Sequence, residues 1–569
     1  MPEYLSPGVY VEEVDRGPKP IEGVGTAMPV FVGFSEKAEL SQLIDGEVIT
    51  TSILGQAQLV TNWTQYLESF GGFVEGAYLP HAVYGYFMNG GSRCYVMSVK
   101  TIPRAQAPLL GSDGKPHLLV QAKQAGFDGL RLRVKVEGPA LLAPVNGSGS
   151  NGVPAKETKA EDKKEDGGEA KKEPAPEPPA PKASQNGGTP FFSVTVERQG
   201  PSGAWQTKEV LRDVTLTEVQ TDKGAEVRVT YKNNKASQFI DLLVPESNGS
   251  LAKLWPKTQE QSLNIETKLI PPANYTDFQG DSLERKGIEG LEALEDVTMV
   301  CIPDLMTPMP GQKLDLELVK AVQTLMIAHC ERAGDRVAIL DTPPNMNPQQ
   351  VNKWRVDTAG YDSSYATLYY PWIKVMDPAT NTSKFVPPCG HMAGIWARND
   401  NTRGVHKAPA NEVVNGATGL YYNVSKGEHD VLNPNGINVI RAFPGRGVRV
   451  WGARTLTSDP AWRYLNVRRL FNYVEKSIER GTQWIVFEPN EPMLWGRIRR
   501  DVGAFLSTVW AQGALFGTTP DQAFYVRCDA ELNPPATRDL GQLFIEIGMC
   551  PVKPAEFVIF RISQWAGPG

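Results

Sequence analysis

The feature that most constrains the fold is a series of apolar runs in the middle of the chain. VTMVCIPDL (297–305), RVAILDTPP (336–344) and SSYATLYYPWIKVMDP (363–378) lack the polar alternation of a strand with one wet face. Such continuous runs belong to strands buried on both sides. Between the first two lies LDLELVKAVQTLMIAHCERAG (314–334). It has helical spacing at Leu318, Val322, Leu325 and Met326, and Gly334 is placed to close a helix. Strand, helix, strand predicts parallel pairing and an α/β layer. MPVFVGFSEKA (28–38) reads as a further buried strand able to join it. WTQYLESFGG (63–72) and AVYGYFMNGG (82–91) read as helices closed by glycines.

Residues 101–280 carry a different pattern. In LRLRVKVEG (130–138), Leu130, Leu132, Val134 and Val136 alternate with Arg131, Arg133 and Lys135, the period of a half-buried strand. HLLVQAK (117–123), FFSVTVERQ (191–199) and EVRVTYKN (226–233) are similar short β runs. Within this β-rich module, residues 154–190 contain no Val, Ile, Leu, Met, Phe, Trp, Tyr or Cys. Their Lys/Glu and Pro/Ala composition cannot bury enough surface to offset chain entropy, which predicts a flexible, solvated loop.

The last third combines both kinds of element. INVIRAFP (437–444) and VRVWGARTL (448–456) flank Gly445-Arg446-Gly447 and predict a hairpin. A helix is expected in 461–481 with Leu470, Val474 and Ile478 on one face. A strand is expected at WIVFEP (484–489), then a second helix from near Asn490 with Leu494, Ile498, Val502, Phe505 and Val509 inward. AFYVRCD (523–529), LFIEIGMCP (543–551) and EFVIFRIS (556–563) complete the set as strands.

The residues give little chemistry. Asp304 and Asp341 end predicted parallel strands, where open α/β sheets hold ligands. Neither has a nucleophile or metal-ligand companion, so the favoured reading is a carboxylate that caps a turn or helix. Cys389-Gly390-His391 and His329-Cys330 do not make a four-ligand zinc site. GRGVRVWG (445–452) matches neither phosphate-binding glycine pattern. No catalytic, cofactor-binding or metal site is expected, and no cofactor. At 569 residues the chain is long enough for about three or four domains. Its 58 Lys and Arg against 64 Asp and Glu give a net charge of −6, which argues against a dedicated nucleic-acid binder. The six cysteines form no CxxC pair and read as reduced, mostly buried thiols. The opening MPEYLSPGVYVEEV has no secretory pattern, and no apolar run reaches the roughly 18 residues of a membrane span. Synthesis in the cytosol and no membrane insertion are expected.

Several long stretches in one order resemble the contractile tail sheath family, found in contractile phage tails and phage-tail-like injection systems. They are PGVYVEE (7–13), VPPCGHMAGIWARND (386–400), GVHKAPAN (404–411) and LNPNGINVIRAFPGRGVRVWGARTL (432–456). YLNVRRLFNYVEKSIERGTQWIVFEPNEPMLW (464–495), FYVRCD (524–529) and GMCPVKPAEFVIFRI (548–562) complete the series. Residues 101–280 carry no part of it.

The resemblance implies an α/β and α+β multidomain fold. It would comprise an N-terminal arm (1–25), a middle α/β domain (26–100 and 281–425), an outer β-rich insert (101–280) and an inner C-terminal core domain (426–569). It implies a structural role: hexameric rings stacked helically around an inner tube protein, with baseplate and terminal cap proteins as partners and with any sheath paralogues that co-assemble. An extended, metastable sheath would contract and drive the tube through a target envelope. Both chain ends would exchange strands between subunits, through Val9, Tyr10 and Val11 at one end and Phe557, Val558, Ile559 and Phe560 at the other. Arg497, Arg499 and Arg500 are candidates for the tube-facing surface. The rival readings are a glycan-binding surface protein, suggested by the β-rich insert and the aromatics, and an α/β hydrolase. Phage tail and injection system are left open, as is the setting of the finished particle, whether cytoplasmic, membrane-anchored or released.

Overall fold

The computed structural model describes residues 21–44, 47–102, 104–123, 125–141, 190–200, 203–221, 224–231, 236–245, 254–265, 274–308 and 313–561. The expected loop at 154–190 lies outside them except for Pro190, which opens a strand, and the N-terminal arm residues Val9, Tyr10 and Val11 also lie outside them. The chain divides into two compact units, one of Met1–Ile102 with Pro271–Gly569 and one of Pro103–Ile270.

The larger unit is built on an eight-stranded sheet. Its strands are β1 (Pro29–Ser35), β2 (Ala57–Val60), β3 (Cys94–Thr101), β4 (Met299–Cys301), β5 (Val337–Asp341), β6 (Ala366–Tyr370), β7 (Ile437–Phe443) and β8 (Gly447–Val450), in the order β8-β7-β6-β5-β4-β1-β3-β2. The six central strands are parallel, and β2 and β8 are antiparallel edges. Every residue of β1, β4, β5 and β6 is buried, the outcome their apolar runs require. The sheet continues past residue 425 through the β7–β8 hairpin, whose turn places Gly445 and Gly447 at φ of 71° and 74°.

Helices α1 (Leu79–Met88), α2 (Leu316–Ala333) and α3 (Cys389–Arg403) belong to this layer. At the start of α2, the Asp315 side chain accepts hydrogen bonds from the Glu317 and Leu318 amides at 3.0 and 3.1 Å. At its end, Gly334 is left-handed at φ 73°. Helices α1 and α3 touch backbone to backbone, since a Cβ on Gly390 would lie 2.3 Å from the Ala82 carbonyl oxygen. The small residues of CGHMAGIWA therefore serve close helix packing.

The run at 363–378 is not one strand. It splits into β6 and a second strand, Ile373–Asp377, which leaves for a three-stranded sheet with Thr382–Val386 and Ala417–Leu420. Pro371 lies at the break, and proline has no N–H to continue a ladder. The expected strand at 484–489 is also absent. Residues Gln483–Ile485 form a 3-10 turn, and the chain then bends through Phe487 at φ 69°. Trp484 and Ile485 are neighbours yet both pack on the same core, which no strand pleat permits.

The smaller unit pairs a five-stranded antiparallel sheet with a three-stranded one. The first runs in the order Gly224–Tyr231, Trp205–Thr221, Pro190–Gln199, Leu132–Leu141, Gln259–Ser262. The second runs Ile240–Leu243, Pro116–Ala122, Gln106–Leu110. Leu132, Val134 and Val136 face a core with Phe192, Val194 and Val196. The alternate residues Arg133 and Lys135 meet Glu197 and Glu260 on the other face.

Candidate assembly site

The C-terminal part of the larger unit rests on two amphipathic helices, α4 (Leu465–Gly481) and α5 (Pro492–Ala511). Leu470 and Val474 of α4 meet Leu494, Ile498, Val502, Phe505 and Val509 of α5 in one core. Against it lies an antiparallel ribbon of β9 (Phe524–Arg527) and β10 (Glu546–Met549). No third strand flanks this ribbon among the described residues, so both of its edges carry unpaired backbone groups.

Beyond β10, among the described residues, the chain is hydrogen-bonded to its own unit as far as Glu556. The Val552 amide donates to the Ala514 carbonyl at 3.1 Å, and the Val552 carbonyl accepts from Asn466 Nδ2 at 3.1 Å. The Glu556 carboxylate accepts from Arg454 Nε at 2.8 Å and Nη2 at 2.6 Å, from Asn433 Nδ2 at 2.9 Å and from Tyr464 Oη at 3.0 Å. Burial pulls the Glu556 carboxyl upward, but these donors outweigh it and hold the group below its ordinary value. Phe557, Val558, Ile559 and Phe560 come next, at 71%, 68%, 80% and 83% exposure. Four consecutive apolar residues are thus exposed, in a segment that forms no strand here.

The other chain end enters through a comparable knot. Arg469 and Asp400 form an ion pair only 4% exposed on each side, with Arg469 Nη1 2.9 Å from Asp400 Oδ1. Arg469 also donates to the Thr26 carbonyl at 3.1 Å, and the Thr26 hydroxyl donates to Asp400 at 2.6 Å. The Val24 amide donates to Ser477 Oγ at 3.1 Å. Residues 24–26 are thereby tied to α3 and α4.

The three candidate arginines of α5 have different surroundings. Arg499 donates to the Cys528 carbonyl of its own subunit. Arg497 lies over the Trp484 ring at 4.4 Å and 3.8 Å from Glu488, and Arg500 pairs with Asp501 at 3.0 Å. Arg497 and Arg500 remain substantially exposed.

The sequence-flagged carboxylates sit inside the α/β layer. Asp304 is buried and accepts from the amides of Phe34, Tyr78 and Leu79, at the N-terminus of α1, and from the Thr307 hydroxyl. Burial pushes its carboxyl up to about 6. Asp341 accepts from the Cys389 amide at 2.9 Å at the start of α3, while its Oδ2 has no partner. Burial raises it to about 7. Both carboxylates hold helix starts. His391, beside Cys389 and Gly390, is buried with Nδ1 unpartnered, and burial lowers it to about 4. Among the described residues no group of three or more His, Cys, Asp or Glu could hold a metal ion, and no helix is long and apolar enough to cross a membrane.

Residues 286–456 match the phage tail sheath protein central domain, and residues 457–564 the phage tail sheath C-terminal domain. Residues 286–564 are thus similar throughout to tail sheath proteins. A protein of Pseudomonas aeruginosa (strain UCBPP-PA14) named as a prophage major tail sheath protein is 27% identical over 253 residues, 43% of this chain and 63% of that protein. The tail sheath protein of Vibrio phage KVP40 is 26% identical over 207 residues, 36% of this chain and 30% of its own length. The matches thus span less than two thirds of either relative. A solved extracellular contractile injection system, the PVC sheath complex in its contracted state, shares the fold over 99% of both chains, with a TM-score of 0.53 at 21% identity.

The sheath motifs at 432–456 and 464–495 contain Asn433, Arg454 and Tyr464, and GMCPVKPAEFVIFRI contains Glu556. Their convergence escaped the sequence reading because Arg454 and Glu556 stand 102 residues apart. Glu556 was also absorbed into an expected strand, where a single acidic residue gives no signal of its own.

Proposed function

We propose that the chain is a subunit of a contractile sheath. It stacks in hexameric rings around an inner tube, held between a baseplate and a terminal cap. It contracts from a metastable extended state to drive the tube through a target envelope. The observation that carries this reading is the exposed apolar run Phe557–Phe560 at the end of a chain whose small β9–β10 ribbon has open edges. A run of this kind satisfies such an edge by strand addition to a neighbouring copy. Burying four such side chains contributes on the order of 6–12 kcal/mol before the cost of ordering them. Each backbone hydrogen bond adds about 0.5–1.5 kcal/mol. A mesh of this strength, repeated at each subunit, keeps the lattice joined while the domain faces exchange partners. The names of the sheath relatives and the likeness to a contracted sheath support the same reading.

In it, residues 1–25 form the second arm, with Val9, Tyr10 and Val11 as its strand. Residues 426–569 face the tube, with Arg497 and Arg500 toward it, and residues 101–280 decorate the outside. The test is deletion of residues 1–14 or of residues 557–569. Each truncated chain folds with a native circular dichroism spectrum and fails to build long sheaths. Sheaths of normal length from either truncation, seen by negative-stain microscopy, overturn the arm reading.

A further inference from the structure

The Glu556 carboxylate is held by several donors at once. It accepts four hydrogen bonds from three separate parts of the chain: Asn433 after a short helix, Arg454 after the β7–β8 hairpin, and Tyr464 at the start of α4. The Arg454 and Glu556 side chains are only 10% and 19% exposed. Arg454 is in turn fixed to the central sheet. Its amide donates to Asn438 Oδ1 at 2.7 Å, and its carbonyl accepts from Asn438 Nδ2 at 2.8 Å and from Thr367 Oγ1 at 3.0 Å. Thr367 lies in β6 and Asn438 in β7. The path from carboxylate to central sheet is therefore one arginine long.

The residues after Glu556 make no use of this rigidity inside the subunit. Among the described residues, no hydrogen bond or ion pair of the subunit engages residues 557–561. An open groove of about 580 Å³ runs beside the root, lined by His406, Trp451, Tyr464, the chain from Val552 to Glu556 and, at its outer end, Val558. A partly buried ion pair is a weak device for stability, because desolvation cancels much of its attraction. It is a good device for direction, because a bidentate guanidinium–carboxylate fork fixes both partners in one plane.

We propose that Arg454 and Glu556, with Asn433 and Tyr464, form a positioning clamp that sets the direction in which the C-terminal arm leaves its subunit. The inference rests on the strand-exchange reading above and adds which residues aim the arm. Without the clamp the arm is tethered only near Val552, and the four apolar residues search a larger volume. The ordering cost then falls on the assembly step.

The test compares the wild-type chain with five variants: Glu556→Gln, Arg454→Met, Arg454→Glu, the double charge exchange Arg454→Glu with Glu556→Arg, and a chain ending at Glu556. Thermal unfolding of the subunit and sheath length by electron microscopy are measured on each. The clamp predicts subunit melting close to wild type for Glu556→Gln and Arg454→Met, and a mean sheath length reduced roughly threefold at equal subunit concentration, the change that about tenfold weaker subunit addition gives. The charge exchange recovers length relative to Arg454→Glu alone. If the chain ending at Glu556 builds long sheaths, the strand-exchange reading falls and the clamp with it. If that chain fails while Glu556→Gln and Arg454→Met assemble at full length, strand exchange stands and the clamp is overturned. Failure of the Glu556→Gln subunit to fold also overturns it, since the pair then serves the subunit's own stability.

Discussion

Asp304 shows how a residue that looks catalytic can be structural. It stands just beyond β4 at the carboxyl edge of a parallel sheet, the usual place for chemistry. Its oxygens are spent on three backbone amides and a hydroxyl. Asp304→Ala leaves those buried amides without acceptors and is expected to destabilise the subunit by about 3–5 kcal/mol, read from denaturant unfolding. Asp341 has a different signature, with one bond made and one oxygen unpartnered. Its folded value of about 7 lies above the ordinary 3.8 that the unfolded chain retains. Between those values the folded state holds the extra proton, so this group favours folding at low pH, and its contribution is lost as pH rises toward and through 7. The loss is at most about 4 kcal/mol. Asp341→Asn removes that slope: melting temperature compared at pH 5 and pH 8 falls less in the variant than in the wild type. The sequence marked both aspartates by their place at strand ends. It could not show their partners, because the Phe34 amide and Asp304 are 270 residues apart and only the closed sheet brings them together.

At the scale of elements, periodicity was readable wherever burial alone decides conformation. The strands β1, β4 and β5 and the helix α2 arise directly from their apolar spacing. The pattern failed where a local backbone rule overrode it. Pro371 divides one apolar run between two sheets, and residues 484–489 turn instead of extending because Trp484 and Ile485 both face the helical core. The 17-residue strand Trp205–Thr221 is not legible in the sequence because charged and polar residues interrupt its alternation and a bulge with Asp213 at φ 58° shifts its register. For the segment of Lys, Glu, Pro and Ala, composition remains the guide. Excision of residues 155–186 removes no strong apolar side chain and is expected to leave assembly and contraction unchanged. Sheath length and contraction in the electron microscope check this, and loss of assembly would show that the segment docks.

At the scale of the whole molecule, the likeness to tail sheath proteins was legible because long motifs recur in one order over the C-terminal third. The aiming of the arm was not, because it depends on one carboxylate meeting donors from distant segments. The surface of α5 carries the prediction for the tube. Arg497 and Arg500 are half-exposed; Arg497 lies 3.8 Å from Glu488 and over the Trp484 ring, and Arg500 donates to the buried Asp501 at 3.0 Å. Exposed pairs formed by such arginines with an acidic partner would be worth about 0–1 kcal/mol each and be screened by salt, which suits a contact that must release. Arg497→Glu with Arg500→Glu is expected to weaken extended sheath on its tube, more so at low salt, while tube-free contracted sheath still forms. Equal damage to both states would place these side chains elsewhere.

The most direct test of the central claim is a cryo-EM reconstruction of sheath assembled from the full-length chain. It is predicted to show stacked rings of six subunits with residues 557–560 paired as a strand on a neighbouring subunit and the Arg454–Glu556 fork intact at the root. Residues 557–560 folded onto their own β9–β10 ribbon, with no strand passing between subunits, would contradict it.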